Sequence, residues 1–378
     1  MDYLSMTQTP LLVLSNLAII FFIYILLKPS RTEPFGVISF RRNLSVLLMF
    51  LFCLFSFWGA DWFHYALEYQ IAKDGIYNSN LETVYQYFAS VSSNYLIFRL
   101  LVWGTALILL LRLFSKVSVS TDLALFFFGS IWIIWFSYAR VSLALAMMFY
   151  GVVCLRKPDG RFNLFSFIIG LVFIFSSLYF HKTAFFGIVV ILLALCLGIL
   201  NKKFLKALIF LSPLLLFVFS YYISMFMEAD IDVEDAGELA MYAAKGQDYM
   251  SRDAGERGVG GLIMRILEKI PYYILAILSY KFYNSDLYEE APRDIKMFAK
   301  ILFLLVLISS AFAFNIGANT NLLYVRFMRF CFIPATIMIS YFHQNKYYVK
   351  WTNRAFFIAL FSTLYAILYV TYTRVVNS

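Results

Sequence analysis

The feature that most constrains this chain is a rhythm of apolar runs, about 17 to 25 residues each, broken by short charged punctuation. A helix rising 1.5 Å per residue needs roughly 20 such residues to cross a bilayer core of about 30 Å. Counting runs of that kind predicts about twelve membrane helices, near 10–27, 44–59, 95–114, 121–137, 141–155, 163–180, 183–200, 204–226, 260–282, 298–314, 324–342 and 354–372. The run 121–155 is too long to be one of them, since its thirty-five residues would reach about 52 Å. It has to turn at Tyr138-Ala139-Arg140, its one polar interruption. The same reasoning splits 162–200 at His181-Lys182. The chain is thus expected to be an all-α, polytopic, single membrane domain spanning 1–378, with 62% hydrophobic and only 14% charged residues.

The formal charge of +9 does not mark a nucleic-acid binder, because the basic residues are spread between apolar segments rather than gathered in one patch. Lys and Arg instead set orientation. Nineteen of the 31 fall in or at the edges of the loops after odd-numbered runs, for example Arg41 and Arg42, Lys116, Lys281 and Lys296, which places those loops in the cytoplasm. Even-numbered loops and both termini then face outward. Two outer excursions are long: 59–94, and an acidic 227–259 with nine acids against three basic residues. No cleavable leader is expected, since the first apolar run lacks a positive n-region. The four cysteines lie inside apolar runs without metal-binding spacing, so no metal site is expected.

The unusual polar residues gather on the outer side. Arg140 sits at one tight outer turn beside Tyr138, and His181 at the other beside Lys182. Arg326 and Arg329, three apart and so on one helix face, open a late helix. Arg99, Arg265 and Lys269 join them near the outer leaflet. Guanidinium groups suit phosphate because they stay charged and present a planar fork of donors, although outer basic residues also snorkel to lipid headgroups. A neutral imidazole at His181 can accept a proton from a sugar hydroxyl. In GADWFHYALEYQ, Asp61, Tyr65 and Glu68 fall on one stripe if the segment is helical, with Tyr69 beside it. Carboxylates and aromatic faces in that array suit a sugar, and Asp61 is the alternative base. In GVGGLIMRILEKIPYY, glycines and Pro271 predict a mobile loop feeding a broken helix at a cavity mouth. The chain has no GKS/T loop and no HExxH, and Asp230-Ile231-Asp232 matches a DxD only within a dense acidic run.

At these residues the chain resembles the EpsG/Wzy-type family of bacterial surface-polysaccharide polymerases. Gly59-Ala60-Asp61 with Tyr65 looks like the family's early G-[TA]-D-x-x-x-Y pattern. Arg140-Val141-Ser142-Leu143-Ala144 looks like its R-Q-x-[IL]-A helix start, with valine where glutamine is usual. Phe180-His181-Lys182-Thr183-Ala184 matches its F-H-x-[ST]-A turn, and Arg326 or Arg329 its late arginine. The resemblance implies a GT-C-like bundle in the bacterial cytoplasmic membrane. It implies polymerisation of polyprenyl-diphosphate-linked repeat units (for O-antigen, capsule or exopolysaccharide) on the outer side, with His181, Asp61 and Arg140 catalytic. No cofactor is implied beyond the lipid-linked substrate. Membrane lipids, a chain-length regulator and a flippase are the implied partners. A lipid-linked glycan ligase or single-sugar transferase would share the outer charge pattern. A lipid-linked oligosaccharide flippase would need polar residues reaching both faces and an internal repeat, neither of which the chain displays.

Overall fold

The computed structural model describes residues 17–18, 20–22, 24–25, 35–55, 62–75, 82–138, 141–155, 163–197, 259–311 and 321–377. Every regular element among them is a helix. Most of the expected run at 10–27, all of 204–226 and the acidic excursion up to residue 258 lie outside the described residues. The helices are α1 Phe35–Phe55, α2 Trp62–Lys73, α3 Thr83–Val91 and α4 Tyr95–Lys116, then α5, which begins at Thr121 and reaches Tyr138. After it come α6 Val141–Cys154, α7 Leu164–Phe180 and α8 Ala184–Leu197. The C-terminal set is α9 Val259–Tyr283, α10 Asp286–Glu290, α11 Arg293–Ala311, α12 Asn321–Met328, α13 Phe332–Gln344 and α14 Val349–Asn377.

The expected turn at His181-Lys182 is present as a helix break, whereas Ala139 and Arg140 of the other expected turn lie outside the described residues. Helix α5 stops at Tyr138 and α6 starts at Val141, while α7 ends on His181 and α8 begins at Ala184. Other expectations shift. Arg41 and Arg42 lie inside α1 rather than in a loop. The Arg41 guanidinium donates to the Ile25 carbonyl at 2.8 Å, and Arg42 stands 3.8 Å from Asp122, so paired cations extend the helix beyond its apolar run. The outer excursion 59–94 is largely helical, holding α2 and α3. Helix α9 runs through Pro271 without the expected break and already includes Gly260 and Gly261. Proline removes one rung of the ladder, the bond to the Leu267 carbonyl, and the buried flank of Tyr272 and Leu275 keeps the rest in line. Of the described helices, two, Tyr95–Lys116 and the Val349–Leu368 part of α14, are long and apolar enough to span a membrane; Thr121–Phe136, α6, α7 and α8 are shorter apolar helices.

Packing depends on close backbone approach. A Cβ on Gly151 would fall 2.6 Å from the Gly170 carbonyl oxygen, and one on Gly170 would fall 2.8 Å from the Gly151 oxygen. These glycines let α6 and α7 touch, as small residues do between membrane helices. Two helices carry π-turns, Leu100–Gly104 in α4 and Phe128–Trp132 in α5. The second frees the Ile131 carbonyl, which accepts from the Thr363 hydroxyl of α14 at 2.9 Å. Beside it, the Trp132 indole donates to the Tyr272 hydroxyl at 2.9 Å.

The bundle has two chemically different ends. At one, the Lys116 ammonium donates to the Tyr150 hydroxyl at 2.9 Å, the Ser118 N–H to Asp294 at 2.7 Å and the Ser120 N–H to Gln344 at 3.0 Å. The other end holds the His181 turn and the starts of α4, α9 and α12.

Candidate functional site

His181 caps α7, its N–H donating to the Ser177 carbonyl at 3.0 Å. Its carbonyl in turn accepts from the Ala184 N–H at 2.9 Å, so the ring stands on a short rigid turn. Nδ1 lies 3.0 Å from the Thr183 hydroxyl and 3.3 Å from the Thr183 N–H. It is also 3.8 Å from Oε1 of Glu82, with both side chains largely shielded from solvent. Glu82 arrives from the far outer excursion. Helix α3, which it precedes, is seated against the end of α7 by Tyr85 and Phe88, whose rings pack 6.2 and 6.1 Å from that of Phe180.

A second cluster lies at the same end. Lys269 and Glu268 of α9 are buried, 3% and 8% exposed, and form an ion pair at 2.7 Å. Consecutive helical residues point in different directions, so this pair bends two long side chains toward each other rather than following from helix geometry. The Arg329 charge reaches Lys269, and the Glu268 charge reaches Tyr324. Tyr324 and Tyr273 share a hydroxyl contact at 3.0 Å, and Tyr273 meets the Ser310 hydroxyl at 2.8 Å. Burying an ion pair costs several kcal/mol of desolvation, so stability alone is a poor reason for it.

The two clusters are joined. Phe186, five residues beyond His181, stacks on Phe327 between Arg326 and Arg329, with centroids 3.9 Å apart. Phe330 closes on the same ring at 5.6 Å.

Arg99 has a different place. It is 1% exposed, 4.8 Å from the Trp103 ring, and its guanidinium donates to the Cys53 carbonyl of α1. The Tyr95 hydroxyl feels the charges of both Arg99 and Glu68. Tyr69 packs on Tyr95 and Phe98 at 5.3 and 5.2 Å, so Arg99, Glu68 and Tyr69 tie α2 to the bundle. Asp61 and Arg140 lie outside the described residues. Tyr65, Tyr138 and Arg265 are on helices α2, α5 and α9, and Lys182 is in the His181 turn.

The EpsG family model matches residues 39–377, nearly the whole chain. The chain belongs to the EpsG family. No curated protein and no solved structure matches it. Membership makes it a membrane protein of the polysaccharide-polymerase type, associated with glycosyltransferase activity. In this EpsG-family chain, reading the sequence missed Glu82, and with it Tyr273, Tyr324 and Ser310. Glu82 follows a stretch with no motif, and its relation to His181 spans about a hundred residues, so local spacing carried no signal. Glu268 was visible beside Lys269, but only packing makes the two a pair.

Proposed function

We propose that this chain is a multi-pass glycosyltransferase of the bacterial cytoplasmic membrane that polymerises polyprenyl-diphosphate-linked repeat units on the outer side. The observation that supports this most is the joining, through Phe186 and Phe327, of the His181 turn to the segment bearing Arg326 and Arg329, with Lys269 within reach. A group that can move a proton thus stands near groups that can hold a diphosphate.

In the proposed reaction, the His181 imidazole takes the proton from the non-reducing-end hydroxyl of a fresh lipid-linked repeat unit; Asp61 is the alternative base. The oxygen attacks the anomeric carbon of the growing chain, and the bond from that carbon to the diphosphate oxygen breaks. The lipid diphosphate leaves with the bonding electrons, its charge stabilised by Arg140, Arg326, Arg329 and Lys269 in place of a metal. The proton then passes from the imidazolium to water. A single displacement inverts the anomeric centre. Tyr65, Glu68, Tyr69, Tyr138 and Lys182 would flank the sugars, with Arg265 near the headgroups, while the buried Arg99 would brace α4 against α1. The acidic 227–259 segment would act as a lid, and a flippase and a chain-length regulator would be the working partners.

The test is complementation of a strain lacking this protein with His181→Asn or Arg140→Ala, followed by profiling of the lipid-linked glycan. Loss of the long-chain ladder with accumulation of single repeat units is expected. An unchanged ladder in both variants overturns the assignment, and a lipid-linked ladder that persists without transfer onward identifies a ligase.

A further inference from the structure

The His181 turn holds a group that the proton-transfer scheme above does not use. Glu82 occupies the N-cap position of α3, where a side-chain oxygen ordinarily accepts from the first turn, yet it makes no such cap bond. Its Oε1 lies instead 3.8 Å from His181 Nδ1, and its side chain is 11% exposed. Both sides of the contact are built. Tyr85, fully buried, and Phe88 press α3 onto Phe180, the residue before His181. On the other side, Thr183 presents its hydroxyl and N–H to the same ring nitrogen.

We propose that Glu82 is a positioning residue for His181: it steadies the imidazole from the Nδ1 side and stabilises the imidazolium formed when the ring takes a proton. This rests on the transferase reading for its chemistry. The Thr183 N–H can only donate and so favours Nδ1 unprotonated, and the hydroxyl can donate or accept, whereas the Glu82 carboxylate favours the charged ring. When the ring takes a proton, a negative charge is already in place. A carboxylate that orients and charge-balances a histidine is a general arrangement in proton-transfer sites. Here it is delivered by a helix of the outer excursion rather than by the helix hairpin that holds the ring. The outer excursion thereby completes the site, which explains why α3 is held by two aromatic contacts at the helix end.

The test reads the coupling without any substrate. The full chain, labelled at histidine and held in lipid nanodiscs, is titrated by NMR. The chain has three histidines, His64, His181 and His343, so the spectrum of His181→Asn assigns the resonance. The other titratable and charged groups on the packed elements include Lys182, Tyr179, Tyr85, Tyr87 and Cys196, with Arg326 and Arg329 flanking Phe327. They are common to wild type and Glu82→Gln, so a difference between those titrations belongs to the carboxylate. The His181 midpoint is expected to fall in Glu82→Gln and to be largely restored in Glu82→Asp. In complemented cells, Glu82→Gln is expected to cut long-chain product about tenfold, part of the roughly hundredfold or more that a positioned base contributes. Monodisperse elution of each variant confirms folding. Equal midpoints in wild type and Glu82→Gln overturn the proposal whatever the glycans show. A lowered midpoint with a ladder unaffected by His181→Asn upholds the pairing and overturns the polymerase reading instead.

Discussion

Phe186 and Phe327 lie face to face, ring centroids 3.9 Å apart and planes within 16°, and this stack binds the helix that follows His181 to the helix carrying Arg326. Without it, neither segment has a local reason to sit beside the other, since they are far apart in sequence. Replacing Phe327 with Ala is expected to remove about 1 kcal/mol of aromatic pairing beyond the lost apolar area. Thermal unfolding of the solubilised protein measures that. The glycan ladder should shorten in Phe327→Ala and be restored by Phe327→Tyr; a normal ladder in the Ala variant would show that the stack does not set the spacing.

Gly170 makes a second, purely steric prediction. Its missing Cβ is what lets α6 and α7 approach, and an added methyl would meet the Gly151 oxygen at 2.8 Å and Leu155 at 2.9 Å. Backbone cannot swing aside as a side chain can. Gly170→Ala is therefore expected to destabilise by about 1–3 kcal/mol, as overpacking does. Lower yield and a lower melting temperature would register it, whereas an unaltered melting curve would mean that the helices part cheaply.

The Arg99 position separates anchoring from charge. Arg99→Lys keeps the charge but loses the planar fork that reaches the Cys53 carbonyl while lying by the Trp103 ring. Arg99→Ala leaves a polar pocket lined by Tyr95 and Glu68 and is expected to cost about 3–5 kcal/mol, the scale for removing one partner from a buried charged contact. Both variants should lose folded protein on size exclusion, Ala more than Lys. Full folding with selective loss of polymer would instead point to contact with substrate.

For Glu268 and Lys269 a double-mutant cycle distinguishes structure from function. Glu268→Leu or Lys269→Met alone strands a buried charge and is expected to destabilise by about 3–5 kcal/mol. The double variant Glu268→Leu with Lys269→Met should recover most of that stability. If Lys269 serves the diphosphate, the double variant folds yet yields no long chains; long chains from it would reduce the pair to a structural feature.

Much of this protein was legible in one dimension. Among the described residues the apolar runs are helical, because a backbone in hydrocarbon must satisfy its own hydrogen bonds. His181-Lys182 announced its turn, since it interrupts a run otherwise too long for one membrane crossing. Pro271 misled: one absent N–H suggested a break, and lateral packing of α9 outweighed it. In the excursion 59–94 the helical stripe read from Tyr65 and Glu68 is present as α2, while contacts such as Tyr69 on Tyr95, which help to hold so short a helix, have no local signature.

What the residues determined by themselves was the helical class and the membrane setting, both consequences of hydropathy and charge, which act residue by residue. Tertiary structure alone decided which of those residues meet. It brought Glu82 to His181, bent Glu268 to Lys269, and drew Arg99 inward to the Cys53 carbonyl. The physical reason is that solvation free energy is paid locally, whereas a contact between distant segments depends on the shapes of every helix packed between them.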